Sequence, residues 1–230
     1  MPVLPGTPPV EVHLKRSSRA RRFSLRVSRL DGKVTLSMPL RAREGEALAF
    51  LKGNEDWLRQ TLSAMPASAQ RAVGHGAVIP VEGADLTLTA ATGRGVRADG
   101  DRLLVPGDPA TVGPRVAAWL KVLARDRLAS ASTHYAGLVG RSYTSLAIRD
   151  TRSRWGSCSP DGRLMYSWRL ILAPPQVLDY VAAHEVAHLV ELNHSPAYWR
   201  VVTGICPDWK RHRDWLKANG STLHGFRFQD

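Results

Sequence analysis

Two histidines four residues apart flank a glutamate in the run His184-Glu185-Val186-Ala187-His188. On an α-helix this spacing stacks both imidazoles on one face, about 6 Å apart, so both can converge on one cation. Glu185 then points to the flank, where its carboxylate reaches a water on that cation without ligating it. The surrounding residues are apolar (Val181, Ala182, Ala183, Val186, Ala187, Leu189), and burying two imidazoles and a carboxylate among them without a use is costly. The pattern points to metal-assisted hydrolysis, and imidazole ligands together with hydrolytic chemistry favour one Zn2+ ion.

A catalytic zinc takes three protein ligands and keeps one position open. Glu191 shares the helical face but lies seven residues beyond His184, about 10 Å along a continuing helix, too far for a ligand about 2 Å from the same ion. His194 is the better third ligand, with Asn193 expected as a left-handed helix terminator that swings it back. The resulting H-E-x-x-H-x5-H spacing equals that of metzincins, but Glu191 stands where those have a turning glycine. Glu185 is the expected general base. Arg154 is the first candidate to stabilise an oxyanion, with Tyr198 and His212 behind it. Asp179 and Asp208 are candidates to orient a ligand histidine. Cys158 is read as a small buried hydrophobe in preference to a fourth ligand or an inhibitory thiolate, and Cys206 as core. His13, His75, His134 and His224 carry no partner spacing.

The elements that must position these groups follow from periodicity. Alternating apolar residues (Val12, Leu14; Phe23, Leu25, Val27; Val34, Leu36, Met38) and the turn at Asp31-Gly32 predict strands over 11–18 and 22–29 and a hairpin. Residues 44–63 have helical spacing with a bend at Gly53-Asn54. The order strand, turn, strand, proline, helix recurs around Leu86–Val105 with a helix near 113–130. It recurs again at Leu146–Asp150, Pro160-Asp161-Gly162, a strand Leu164–Leu172 and a helix over about 175–192. Residue identity between these stretches is poor, so an α+β chain with a common local grammar is preferred over internal duplication. The expected division is a loose lead-in over 1–10, a strand-rich region with β-hairpins and a helix over 11–110, and a catalytic domain with a small sheet and the histidine helix over 111–230.

The chain is 230 residues long with 43% hydrophobic and 23% charged residues and a formal charge of +12. That is ordinary globular usage with an unusual excess of cations, which favours polyanionic partners. Lys15, Arg16, Arg19, Arg21, Arg22, Arg26 and Arg29 form a run with no acid between them. Two cysteines do not make a secreted disulfide framework, no apolar run suits a membrane helix, and the N-terminus lacks a signal-peptide pattern, so a cytoplasmic location without membrane association is expected.

The segment Arg154-Trp155-Gly156-Ser157-Cys158-Ser159, then Tyr166–Leu172, Pro174, Asp179-Tyr180-Val181, the histidine helix and Asn193-His194-Ser195-Pro196-Ala197-Tyr198-Trp199 resembles the YgjP-like metallopeptidases, relatives of the SprT-like and Wss1-like zinc proteases. The resemblance is specific over about 140–220. It implies a gluzincin-like, zincin-type minimal protease core behind a strand-rich N-terminal region, with His184, His188 and His194 as ligands and Glu185 as base. The expected activity is therefore that of a zinc metallopeptidase acting on a peptide or unfolded protein. An extended substrate would add to the edge offered by the strand Leu164–Leu172. Two alternatives accompany it. One is a nucleoside triphosphate pyrophosphohydrolase on the same site, suited by Arg152, Arg154 and Arg169; the other is a nucleic-acid-associated module with structural zinc.

Overall fold

The computed structural model describes residues 2–6, 8–28, 32–63 and 71–228, and they build an α+β protein. Arg29 and Asp31, and with Asp31 half of the expected turn pair, lie outside the described residues. The chain divides into two compact units, Met1–Ala69 and Gln70–Asp230.

In the first unit, β1 (Val3–Leu4), β2 (Val10–Ser17), β3 (Ser24–Val27) and β4 (Val34–Pro39) form one sheet in the order β1-β2-β4-β3. β3 and β4 make the expected antiparallel hairpin, while β2 runs parallel to β4 with Leu14 beside Leu36. The period-2 alternation sends Val12, Val34, Leu36 and Met38 to one face, where they are buried. Helices α1 (Glu44–Gly53) and α2 (Glu55–Ser63) contribute Ala47, Leu51 and Leu58 to the same cluster. The bend expected at Gly53-Asn54 is the break between them, held by the Asn54 side-chain amide donating to the Phe50 carbonyl at 2.8 Å.

In the second unit, β5 (Arg71–Ala72) precedes β6 (Val78–Val81), β7 (Ala84–Ala91), β8 (Arg97–Asp99) and β9 (Arg102–Pro106), the last four in the order β6-β7-β9-β8. Helix α3 (Val112–Leu138) follows, then β10 (Ser145–Arg149), β11 (Gly156–Cys158) and β12 (Arg163–Ser167) in the order β10-β12-β11. Helices α4 (Pro175–Ala187), α5 (Pro196–Ile205) and α6 (Trp209–Leu223) complete the unit, and β13 (Phe226–Arg227) pairs in parallel with β5. The division expected at 110/111 falls inside this unit. The reason is burial: Ile79, Leu88, Leu103 and Val105 share one core with Val112, Val116 and Leu120 of α3 and with Tyr166 and Trp168.

The three larger sheets use one pairing scheme, and the two-stranded β5/β13 sheet stands apart from it. The first strand lies parallel to the third, and the second folds back antiparallel on the third's outer side: β2/β3/β4, β7/β8/β9 and β10/β11/β12. The recurring grammar of the sequence is thus a recurring topology, carried by apolar alternation and not by residue identity.

Two boundaries differ from expectation. The strand starting at 164 stops at Ser167, and Trp168–Leu172 winds into a 3-10 turn in which all five residues are buried. A short run that is apolar throughout does not reveal its conformation by period. β12 is also the middle strand, so the free edge beside α4 belongs to β11. The histidine helix ends at Ala187, five residues short of the expected 192, and tight turns carry 188–190.

Gly113, in the first turn of α3, sits against backbone: a Cβ there would lie 2.4 Å from the Phe228 carbonyl oxygen and 3.2 Å from that of Val73. Gly113→Ala should destabilise by roughly 1–3 kcal/mol, as overpacking does, when measured by denaturant unfolding. Gly137→Ala, on the same helix with nothing within 4 Å, should stabilise by up to about 1 kcal/mol. Equal effects would refute the close approach.

Candidate metal centre

Helix α4 starts with Pro175 at its first position, where a missing N–H costs nothing. Val177, Val181 and Ala182 are buried, and His184 and His188 lie toward α5, where they meet the Tyr198 ring. The helix stops at Ala187 with His188 as its cap residue. Because the chain turns there, the Glu191 carbonyl comes back to His188, 3.0 Å from Nδ1. An Nδ1–H donating to that carbonyl leaves Nε2 as the free lone pair. Glu191 therefore serves the site through its backbone, consistent with its exclusion as a ligand.

His194 returns as expected, by a different device. Asn193 has no left-handed backbone, since Glu82 alone among the described non-glycine residues has positive φ. The Asn193 carbonyl and side-chain oxygen instead accept from the Ser195 amide at 2.8 and 3.2 Å. Ser195 in turn caps α5, its hydroxyl accepting from the Tyr198 amide, with Pro196 at the first helical position. These three local bonds form the turn that presents His194.

One ligand atom from each of His184, His188 and His194 lies within 4.8 Å of the others. The Nε2 atoms of His184 and His194 are 3.2 Å apart. Two nitrogens at 2.0–2.1 Å from a tetrahedral zinc would be about 3.3 Å apart, so these residues fit the ion. His188 is buried, His184 half-buried and His194 exposed, which leaves one side of the trio open to solvent. Burial, then the neighbouring His188 and His194, push His184 down to about 3, and burial also lowers His188. Both therefore present neutral lone pairs at neutral pH, as metal ligation requires. Nδ1 of His184 is buried and has no hydrogen-bond partner among the described residues.

Glu185 is 6% exposed and packs against β11. Burial raises it to about 8, opposed by the charge of Arg154 and a hydrogen bond from the Cys158 backbone N–H. A dication on the imidazoles would draw it down again. Gly156 is required here: a Cβ would stand 2.6 Å from both Cγ and Oε1 of Glu185. Sequence reasoning passed over Gly156, the Cys158 amide and the Glu191 carbonyl. Only the glycine in Arg-Trp-Gly-Ser-Cys could have signalled a close approach.

Of the remaining candidates, Arg154 is exposed and lies within electrostatic reach of Glu185. Tyr198 is corrected: it is fully buried, and its hydroxyl donates to the His184 carbonyl at 2.9 Å, so it is unavailable to an oxyanion. Its ring stacks on His188 at 4.5 Å and meets His184 and His194 edge-on. Trp199 stacks on His194 and on Trp209. Asp179 makes no hydrogen bond to His184, His188 or His194; half-buried, its carboxyl is raised by burial, opposed by the charges of His134 and His212. Asp208 precedes α6 and likewise bonds no ligand histidine. Cys158 is outside the ligand group, its thiol held up at about 11 by burial, and Cys206 is buried. Trp155 packs on His224, with ring centroids 4.9 Å apart.

Two predictions follow from the buried carboxyl. Its folded-state affinity for a proton exceeds the unfolded one, so in metal-free protein Glu185 favours folding below about 4.5 and loses that contribution as pH rises through about 8. Glu185→Gln should therefore gain stability relative to the parent between pH 5 and 8.5 in denaturant titrations with chelator; a pH-independent difference would refute it. Gly156→Ala should keep the metal, by elemental analysis, while cutting turnover by about a hundredfold through displacement of the carboxylate.

A sequence profile described as YgjP-like, metallopeptidase domain, matches residues 21–219. The match begins within the first unit and so extends well beyond the 140–220 segment of specific resemblance. No curated protein matches the chain. Among solved structures, the metallopeptidase zymogen of Pyrococcus abyssi abylysin is similar at 21% identity and a TM-score of 0.37, covering 40% of this chain and 92% of that one. The profile spans both units, and the chain belongs to the YgjP-like metallopeptidase family.

Proposed function

We propose that the chain is a zinc-dependent peptidase in which His184, His188 and His194 hold one ion and Glu185 is the general base. The observation that carries this reading is the meeting of three imidazole donors with a buried carboxylate beside an unpaired strand edge. An ion held there supplies Lewis acidity toward a water and the scissile carbonyl.

The chain's own groups do the rest. Glu185 takes a proton from the attacking water as its oxygen adds to the carbonyl carbon, and returns it to the amine nitrogen as the C–N bond breaks. The Cys158 N–H fixes the carboxylate, and the Arg154 charge favours its ionised form. An extended peptide would pair with β11, the edge strand nearest α4. A cavity of about 390 Å3 beyond the end of β11, lined by Ser159, His188, Leu189, Val190, Leu192 and Arg141, offers room for a substrate side chain.

The triphosphate alternative loses support at Arg169. Its guanidinium grips Asp150 at 2.7 and 3.2 Å and donates to the Leu223 and Phe226 carbonyls, so its donors serve the fold. Glu185→Gln should retain zinc and lose 10²–10⁴-fold in turnover of an unfolded, casein-like chain. Removal of metal by chelator should abolish the same activity, and nucleoside triphosphates should release no phosphate. Full activity of the variant would overturn the role of Glu185.

A further inference from the structure

We infer that one end of the first unit's sheet is a binding surface for the phosphodiester backbone of nucleic acid. The strand connections concentrate charge there. β2 and β4 run parallel and end together, Ser17 beside Pro39. The segment 18–23 leaves β2 and enters β3, which lies on the far side of β4, so it must cross the end of β4. Arg19, Arg21 and Arg22 lie on that crossing, Arg16 at the end of β2, and Arg41 and Arg43 just past β4, all exposed. Six arginines thus rim one end of a small sheet.

The rim continues onto the sheet's outer face. With Val12 and Leu36 turned inward, Lys15, Ser37 and Ser24 form one outward cross-strand row and His13, Thr35 and Arg26 the next. Between Val12 and Arg43 the sequence contains one acid, Asp31; Glu11 precedes that stretch and Glu44 and Glu46 follow it in the first turn of α1. Arg16 donates to the Leu40 and Ala42 carbonyls, which fixes it at the rim with its charge uncompensated. Arg19, Arg21, Arg22, Arg26 and Arg41 make no ion pair among the described residues.

A solvated surface that only maintains solubility intersperses both signs. Here cations are in clear excess on the crossing and the outer face, beside a row of hydroxyls, and arginine with serine and threonine is the donor set that contacts phosphate oxygens without reading bases. The partner is accordingly a regularly spaced polyanion bound without sequence preference.

The test is fluorescence anisotropy of the full-length protein with labelled oligonucleotides of about 20 nucleotides, single-stranded and duplex, from 50 to 200 mM salt. The expected affinity falls steeply with salt, with a log–log slope near −0.9 per phosphate neutralised on duplex. R19E/R21E/R22E should weaken binding by roughly tenfold or more and flatten the slope by about 3, with thermal stability and peptide hydrolysis unchanged. R94E/R97E/R125E, an equal charge change on exposed residues of the second unit, should cost far less. No binding at 50 mM salt would overturn the proposal, as would equal losses from the two triple variants. Binding to phosphatidylserine vesicles that displaces the oligonucleotide and responds identically to the first triple would also overturn it, assigning the rim to membrane instead.

Discussion

Two imidazole nitrogens 3.2 Å apart, with a third close by, cannot all be protonated. Like charges at that distance repel by several kcal/mol even in a partly solvated setting. The arrangement tolerates a shared proton or a cation among the lone pairs, and the protein has chosen surroundings that favour the second. Burial keeps His184 and His188 neutral, the Glu191 carbonyl holds the His188 ring, and Tyr198 ties its hydroxyl to the helix carbonyl of His184. Each device also restricts where a ring can turn, which is how a site acquires geometry before it acquires an ion.

That restriction explains the aromatic wall. Tyr198 and Trp199 are adjacent in sequence, yet their rings stack on different histidines, His188 and His194. Trp209 backs Trp199 with centroids 4.3 Å apart. α5 and α6 therefore act as a rigid brace for a loop residue. An exposed histidine just past a helix end would otherwise sample many rotamers and lose entropy on ligation.

The opposite wall is a strand edge. Glu185 tolerates burial because β11 offers it a backbone N–H, and β11 can approach because Gly156 has no side chain. The three-strand scheme that puts β11 on the outside also occurs twice earlier in the chain, where the described residues hold no comparable cluster of histidine, cysteine or carboxylate groups. In the first unit the same scheme gathers arginines at a sheet end, in the last it exposes an edge beside the buried Glu185. One topology thus supports two different surfaces, set by which residues fall at strand ends.

The pattern His184-Glu185-x-x-His188 with His194 was legible because helical geometry converts spacing directly into direction, and one turn of helix is a local property. The hairpin of β3 and β4 and the break at Asn54 were legible for the same reason: alternation and turn chemistry act over a few residues. The end of α4 at Ala187, the middle position of β12 and the burial of Tyr198 were not, because each depends on what packs against it from far along the chain. Residue types and short spacings by themselves singled out the three histidines and the glutamate that the fold brings together. Only the folded chain decided that Glu185 meets Gly156, that Glu191 contributes a carbonyl and not its carboxylate, and that Arg169 belongs to the core. Those are contacts between segments whose approach is governed by core burial, a sum over many residues that no local pattern encodes.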